Sequence, residues 1–267
     1  MIFRKQQECK FHDDLRKNQS AQRWSPGLED LMKADPLWSN MKYYSIERRS
    51  RSMVLNWYLQ NCKGKRVLDY CCGNGEDSIF IAKNGAKEVV GIDISPVSIE
   101  NCRQRAIEEG VQDIASFFVM DAEKLEFEDR CFDVATEYGA LHHLDLELAY
   151  GEMQRVLKTD GSAICTEALG HNPFIHVYRK MTPHLRTEWE ARHILRKKQL
   201  KRAYRYFHEI SEHFFHLATL GAVPFRNSAG FETLLGFLER IDNAAVRVPF
   251  LKWQAWQVVF IMSRPKF

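Results

Sequence analysis

Residues 67–75 read Val-Leu-Asp-Tyr-Cys-Cys-Gly-Asn-Gly, and eighteen positions beyond the last glycine a second apolar run, Val-Val-Gly-Ile, ends in Asp93. The apolar run 66–70 predicts a strand entering a turn whose glycines let the backbone come close to a ligand, and 88–92 predicts a second strand. In an open parallel sheet the carboxyl ends of neighbouring strands face one crevice, which brings the loop and Asp93 together. A carboxylate there can accept hydrogen bonds from both hydroxyls of a ribose.

The spacing is near that of a dinucleotide site, but Glu76 and Asp77 open the next helix. They would repel the pyrophosphate that a helix N-terminus otherwise attracts. A ligand without phosphate and with a cationic centre fits better. The sequence here resembles the class I S-adenosylmethionine-dependent methyltransferases, whose first motif reads acid-x-Gly-x-Gly-x-Gly. Asp69, Gly73 and Gly75 match it; Cys71 stands at the first glycine, a position where Cys adopts positive φ less readily.

Further motifs follow in the family's order across 62–170. Phe117-Phe118-Val119-Met120-Asp121-Ala122 is a third apolar run ending in an acid, which the resemblance assigns to the adenine amino group. Cys131-Phe132-Asp133-Val134-Ala135-Thr136-Glu137 is a fourth, Leu141-His142-His143-Leu144 opens the next segment, and 162–167 is a fifth strand. Alternating strands and helices with short connections predict an α/β fold with a doubly wound sheet. The resemblance implies a mostly parallel, seven-stranded, Rossmann-like sheet with an N-terminal helical extension and a helical lid. It also implies S-adenosylmethionine as cofactor and S-adenosylhomocysteine as product. The contacts it implies are Tyr44, Asp69, Cys71, Gly73, Asn74, Gly75, Asp93, Ile94, Asp121, Ala122, Glu137, Tyr138 and His142.

With 267 residues, 45% of them hydrophobic, the chain can bury one good core with additions around it. A net charge of +3 is too small to imply nucleic acid, and no nucleic-acid partner is expected. No apolar run has the length of a membrane span or the look of a signal peptide. The seven cysteines lack CxxC spacing, and Cys71, Cys72, Cys131 and Cys165 fall on predicted strands or their ends. They read as reduced core residues of a cytoplasmic protein, with no resident metal expected.

The chain divides into an N-terminal helical extension or lid (1–61), the cofactor-binding core (62–170) and a substrate-lid segment with the closing strands of the same domain (171–267). The extension sets Trp24, Trp38, Tyr43, Tyr44, Trp57 and Tyr58 among basic residues, with a turn at Asp35-Pro36 and a helix over 45–60. In the last stretch 210–217 and 256–263 predict strands and 231–241 a helix. In the resembled family two closing strands form an antiparallel hairpin at the sheet edge, and these two fit.

Methyl transfer needs a nucleophile in line with the sulfonium, in a site without competing water, and a base if the acceptor arrives protonated. No Asn-Pro-Pro-Tyr follows the fourth strand; Glu137-Tyr138-Gly139 stands there, which speaks against amino groups of nucleobases or glutamine. Candidates for chemistry at strand ends are Glu167, His142 and His171, the last two able to exchange protons near neutrality. Glu167 is equally able to pair with an arginine, the histidines to line the cofactor pocket, and Glu137 to cap a helix. Tyr43, His143, Arg186 and Trp189 are the expected acceptor contacts. Tyr43 and Tyr44 would either face the sulfonium or pack the extension onto the sheet. Trp189, Tyr178, Phe174, Phe214 and Phe215 would make lid and pocket apolar.

Residues 192–205 hold seven basic residues, Arg192, Arg196, Lys197, Lys198, Lys201, Arg202 and Arg205, and no acid. A solvated helix face is one reading, with Ile194, Leu195, Leu200, Tyr204 and Phe207 buried beneath it. An anionic membrane surface, RNA, or a substrate diphosphate with Mg²⁺ are the others. The chain most resembles the small-molecule branch of the family, acting on quinones, sterols and specialised metabolites. Its acceptor is then a phenol, enol or aromatic carbon of a lipophilic metabolite, or the alkene of an isoprenoid. A nicotinamide-dependent oxidoreductase, an RNA or protein methyltransferase docking through 192–205, and a non-catalytic subunit are the competing classes. The oligomeric state is not read from the sequence.

Overall fold

Seven strands form one sheet in the order β3-β2-β1-β4-β5-β7-β6. The computed structural model describes residues 2–17, 28–34 and 36–267; Trp24 and the Asp35 half of the expected Asp35-Pro36 turn lie outside them. The strands are β1 (Arg66–Tyr70), β2 (Glu88–Asp93), β3 (Ala115–Val119), β4 (Phe132–Tyr138), β5 (Leu157–Ala168), β6 (Phe207–Phe215) and β7 (Gln257–Pro265). The first five pair in parallel, and β7 runs antiparallel to both β5 and β6. The order reverses between β1 and β4, and ligands of open α/β sheets lie at such a switch point.

Among the described residues ten α-helices flank the sheet: α1 (Ile2–Arg16), α2 (Leu28–Ala34), α3 (Arg48–Asn61), α4 (Glu76–Lys83), α5 (Pro96–Glu108), α6 (Leu146–Val156), α7 (Pro173–Met181), α8 (Glu188–His193), α9 (Lys197–Leu200) and α10 (Phe231–Ala245). Both faces of the central strands are covered, so their sequences are continuously apolar. Alternation puts Leu68 and Tyr70 with Val90, Ile92 and Ala135 in one core layer. Val67 joins Val89, Val134 and Ile164 in the other, beneath Val54 and Tyr58 of α3.

Local chemistry sets the turns at the strand ends. Gly75, in the left-handed region at φ 75°, precedes α4 and has no side chain to cap it. Asp69 does so instead, accepting from the Ser78 amide at 3.0 Å and the Ser78 hydroxyl at 2.5 Å. Ser95 caps α5 from its own side chain, taking the Ser98 amide at 3.0 Å, with Pro96 in the first turn.

Three expected boundaries move. The helix expected from residue 45 begins at Arg48, because Pro36–Ile46 forms 3₁₀ turns. Strand β6 starts three residues early and stops before His216, whose left-handed φ of 67° breaks the extended run. Residues 192–205 do not form one helix. Leu195 lies in a parallel bridge to Leu169, which pulls the backbone out of helical conformation; a single turn (α9) and a 3₁₀ turn (Lys201–Arg205) follow. Leu195 and Leu200 are buried as expected, but Tyr204 is 43% exposed.

Candidate active site

At the switch point the β1–α4 loop departs from ordinary backbone at every second residue: Cys71, Gly73 and Gly75 have φ of 60°, 54° and 75°. Cys71 therefore adopts the left-handed conformation that a glycine would take at lower cost. The Gly73 amide donates to Asp93 Oδ2 at 3.0 Å and the Ser95 amide to Oδ1 at 2.9 Å. A carboxylate has four acceptor positions, so these two bonds orient Asp93 and leave it room for more. Burial pushes Asp93 above its ordinary value, while those amides and the nearby Arg16 charge pull it back. Gly75 serves the loop differently. It lines neither of the two cavities above the loop, and a Cβ there would lie 2.9 Å from Cys102 Sγ.

Two adjoining cavities open above this loop. The smaller, about 90 Å³, is lined by Asp93, Ile94, Asp121 and Ala122. The larger, about 310 Å³, is lined by Asp69, Asn74, Tyr43, Tyr44, His142 and Arg186. Cys71, Gly73, Tyr138, Gly139 and His143 border both. This tract runs from two carboxylates at the ends of β2 and β3, past glycine backbone, to an aromatic chamber. A nucleoside at one end and a small cationic amino acid at the other fit it. Asp77 weighs less against a phosphate than its charge implied, because Arg51 pairs with it at 2.6 Å and the Tyr58 hydroxyl donates to it at 3.0 Å. Both Glu76 and Asp77 line the larger cavity.

In the larger cavity the polar chemistry centres on His142. Glu167 Oε2 accepts from His142 Nδ1 at 2.7 Å, and Glu167 Oε1 accepts the Leu141 amide at 2.6 Å. Glu167 is 1% exposed and does not reach the cavity; His142 does. The expected chemistry at Glu167 thus lies one residue back: it orients His142 rather than facing an acceptor. Burial opposes the His142 charge, but the Glu167 carboxylate beside it outweighs burial and raises the imidazole above its ordinary value. Burial likewise opposes the Glu167 charge, and His142 outweighs it, lowering that carboxyl. Glu137, behind both, is pushed well above the ordinary range by burial and the Glu167 charge. It too stays out of the cavities, capping the Ala140 amide at 2.5 Å and the Leu141 amide at 3.2 Å.

Two expected site residues lie elsewhere. His171 Nε2 accepts the Lys197 amide at 2.9 Å and its ring meets the edge of Trp253, outside both cavities. Trp189 stacks on His193 at 3.6 Å and carries the Arg4 guanidinium at 4.3 Å, so it supports the lid from outside. The basic run faces outward as well, with Arg202 and Arg205 turned to Glu147 at 3.6 and 3.0 Å. The cations lining the chamber are Arg179 and Arg186, bridged by Glu190 at 3.2 and 3.4 Å, and Arg16 of α1.

The sequence predicts a helical extension over 1–61 but none of the contacts that its first helix, α1, makes at the site. Lys5 and Arg4 pair with Asp121 and Glu123, Asp13 takes the Ser95 hydroxyl at 2.5 Å, and Arg16 lies over Gly73. Glu8 accepts from His143 Nδ1 at 2.9 Å and from the Thr187 hydroxyl, while His12 meets the edge of the His143 ring. Glu8, His12 and His143, and again His142, His143 and Glu190, thereby bring three metal-capable atoms together. Only the i, i+4 spacing of Glu8 and His12 signals this in the sequence. No helix among the described residues is long and apolar enough to cross a membrane.

A methyltransferase-domain family model matches residues 61–210, more than half of the chain. The chain belongs to that family. It is 36% identical over 123 residues to a demethylmenaquinone methyltransferase of Staphylococcus aureus strain MRSA252, covering 45% of this chain and 48% of that one. The methyltransferase thus spans about half the length of the curated relatives it matches. Among solved structures, geranyl diphosphate C-methyltransferase from Streptomyces coelicolor A3(2), in complex with Mg²⁺, geranyl diphosphate and S-adenosyl-L-homocysteine, superposes over 98% of both chains. The TM-score is 0.64 and the identity 15%, a likeness of fold. A Haemonchus contortus N-methyltransferase holding phosphomonomethylethanolamine and S-adenosylhomocysteine covers 79% of this chain and 53% of its own, with TM-score 0.57 and 16% identity.

Proposed function

We propose that this methyltransferase moves a methyl group from S-adenosylmethionine to a small, lipophilic acceptor that gives up a proton, a phenol, enol or activated aromatic carbon. The observation that carries the reading is His142. It lines the chamber, and its Nδ1 is held by the buried Glu167 carboxylate, which itself lines neither cavity; His143, which borders both cavities, is held likewise by Glu8 of α1. S-adenosylmethionine supplies the methyl, whose bond to sulfur breaks as the bond to the acceptor forms, leaving a neutral thioether. Asp93 and Asp121 would hold the nucleoside end and the Gly73 loop the tract between.

The chain's own part is to bind, dry and deprotonate. Phe11, Met41, Tyr43, Tyr44, Ile175 and Trp256 line the chamber with apolar surface that would help exclude water. His142 Nε2 takes the acceptor proton while Nδ1–H stays on Glu167, which stabilises the imidazolium that results. Glu190 Oε1 lies 3.9 Å from Nε2 and is the next carboxylate along the path. Arg179 and Arg186 suit an acceptor with an anionic substituent. An isoprenoid alkene with a diphosphate remains the second reading, favoured by those two arginines; Mg²⁺ belongs to that case alone.

The test is incubation with S-adenosylmethionine labelled in its methyl group and a panel of hydrophobic phenols, enols and prenyl diphosphates. Label on a phenol or enol, lost in His142→Ala while S-adenosylhomocysteine still binds, is the expected result. Label on prenyl diphosphates alone replaces the base by the second reading. Label only on RNA or protein overturns both.

A further inference from the structure

The lid helix α7 has two apolar sides. Ile175, Tyr178 and Arg179 face the chamber, and Ile175 is 7% exposed. On an adjoining stripe Phe174, Val177 and Met181, at i, i+3 and i+7, are 80, 56 and 74% exposed. Three large apolar side chains on one helical stripe, this far into solvent, are beyond the scattered exposure normal for a soluble surface. This stripe of the lid helix is therefore built to be covered.

What lies around the stripe selects the partner. Lys180 follows it on the same helix. The Arg196 guanidinium lies 3.3 Å from the His176 imidazole of α7, which sets the exposed run Arg196-Lys197-Lys198 alongside the stripe. Among the described residues no acid pairs with Lys180, Lys197 or Lys198. Residues 171–205 carry ten Lys and Arg against two acids. Of those, Glu190 is turned into the chamber and Glu188 is held by Arg192 at 2.5 Å. An apolar stripe with an unneutralised cationic border is the chemistry of a helix lying in an anionic lipid surface.

We propose that α7 and the basic run 196–198 dock the protein on the surface of a membrane rich in anionic lipid. Phe174, Val177 and Met181 enter the acyl boundary, and Lys180, Arg196, Lys197 and Lys198 lie among the headgroups. The inner face of the same helix lines the acceptor chamber, so a docked lid opens onto the phase in which a lipophilic acceptor dissolves. This purpose rests on the lipophilic-acceptor reading; the docking itself is measured without any acceptor.

The experiment is co-sedimentation of the full chain with vesicles of phosphatidylcholine alone and of phosphatidylcholine mixed with phosphatidylglycerol, at low and high salt. Binding to the mixed vesicles only, weakened by salt, is expected. Phe174→Glu/Met181→Glu should abolish it, and Lys197→Ala/Lys198→Ala should weaken it by roughly tenfold to thirtyfold. All variants should still bind S-adenosylhomocysteine, since none of these side chains lines either cavity. Absence of binding to mixed vesicles, or binding that the apolar variants leave intact, overturns the proposal. So does a concentration-dependent dimer that Phe174→Glu/Met181→Glu dissociates, which would make a second copy the occupant. A docked protein without methyl transfer to any lipophilic acceptor would leave docking standing and remove the acceptor reading.

Discussion

The cofactor half and the lid half of the site are held by different kinds of contact. In the cofactor half, Asp69 meets Ser78 nine residues on, and Asp93 meets Ser95 two residues on and Gly73 twenty residues back. In the lid half, Arg4 reaches Glu123, Lys5 Asp121, Glu8 His143 and Glu8 Thr187, across 119, 116, 135 and 179 residues. Short-range bonds between strand ends and the helices they feed are fixed as soon as the sheet forms. Long-range charge pairs between a terminal helix and that sheet are fixed only when the helix docks. The first kind makes a rigid cradle, the second a closure that few contacts must release.

The comparison is tested hardest at Gly73. A valine there would have to hold a left-handed φ of 54° with a branched Cβ, in a loop that borders both cavities. Gly73→Val should abolish measurable binding of S-adenosylhomocysteine in calorimetry while the circular dichroism spectrum stays native. Wild-type affinity would mean the cradle is not the rigid element of the site.

Asp93→Ala comes next. It removes the acceptor of two loop amides as well as the carboxylate facing the smaller cavity. A loss of about 1.5–3 kcal/mol in S-adenosylhomocysteine affinity is expected for hydrogen bonds to a charged group, roughly tenfold to a hundredfold. Unchanged affinity would remove Asp93 from the site.

Glu167→Gln tests how the two halves meet. The imidazole of His142 is raised because Glu167 outweighs burial, so the neutral, proton-accepting form gains ground only above the ordinary value of 6.5. Methyl transfer through His142 should therefore rise with pH through that raised value. Without the Glu167 charge, burial and the Arg179 charge favour the neutral ring against Glu190 alone, so the rise should move to lower pH. Its plateau should fall by about 10²–10⁴ as the ring loses its orienting partner and the charge that stabilises the imidazolium. A pH profile that keeps its midpoint while only the plateau drops would make Glu167 a packing residue.

What could be read in the sequence follows the same division. The strands β1 to β5, the glycine turn and the acids at the ends of β2 and β3 announce themselves through periodicity and spacing, because their partners are near in sequence. Glu167 and His142 were both visible as polar groups at a crevice. Which of them faces it was not, since that depends on a hydrogen bond of 2.7 Å between two elements 25 residues apart. His171 and Trp189 looked equally apt, and a backbone amide at Lys197 and a stacked His193 hold them elsewhere. The run 192–205 carried its buried leucines correctly, but a single bridge from Leu195 to Leu169 was enough to break the helix. Helix α1 has a polar sequence with no apolar face, so nothing in its pattern announces that its charges close the site.

The smallest expected effect concerns that closure. Lys5 lies on Asp121 and, at 3.0 Å, on Glu123. Burial opposes its charge, yet the two carboxylates together raise its pKa, so it is charged at any pH of interest. The Asp121 side chain is 33% exposed and that of Lys5 21%, which puts the pair nearer the surface regime, worth about 0.2–1 kcal/mol. If Asp121 receives the adenine amino group, Lys5 must yield it, and the pair competes with the cofactor. Lys5→Ala should then tighten S-adenosylhomocysteine binding by up to about fivefold, with the gain shrinking as salt screens the wild-type pair. Weaker binding in Lys5→Ala would give α1 the opposite role, a cover whose cations stay on the acids while the cofactor lies beneath.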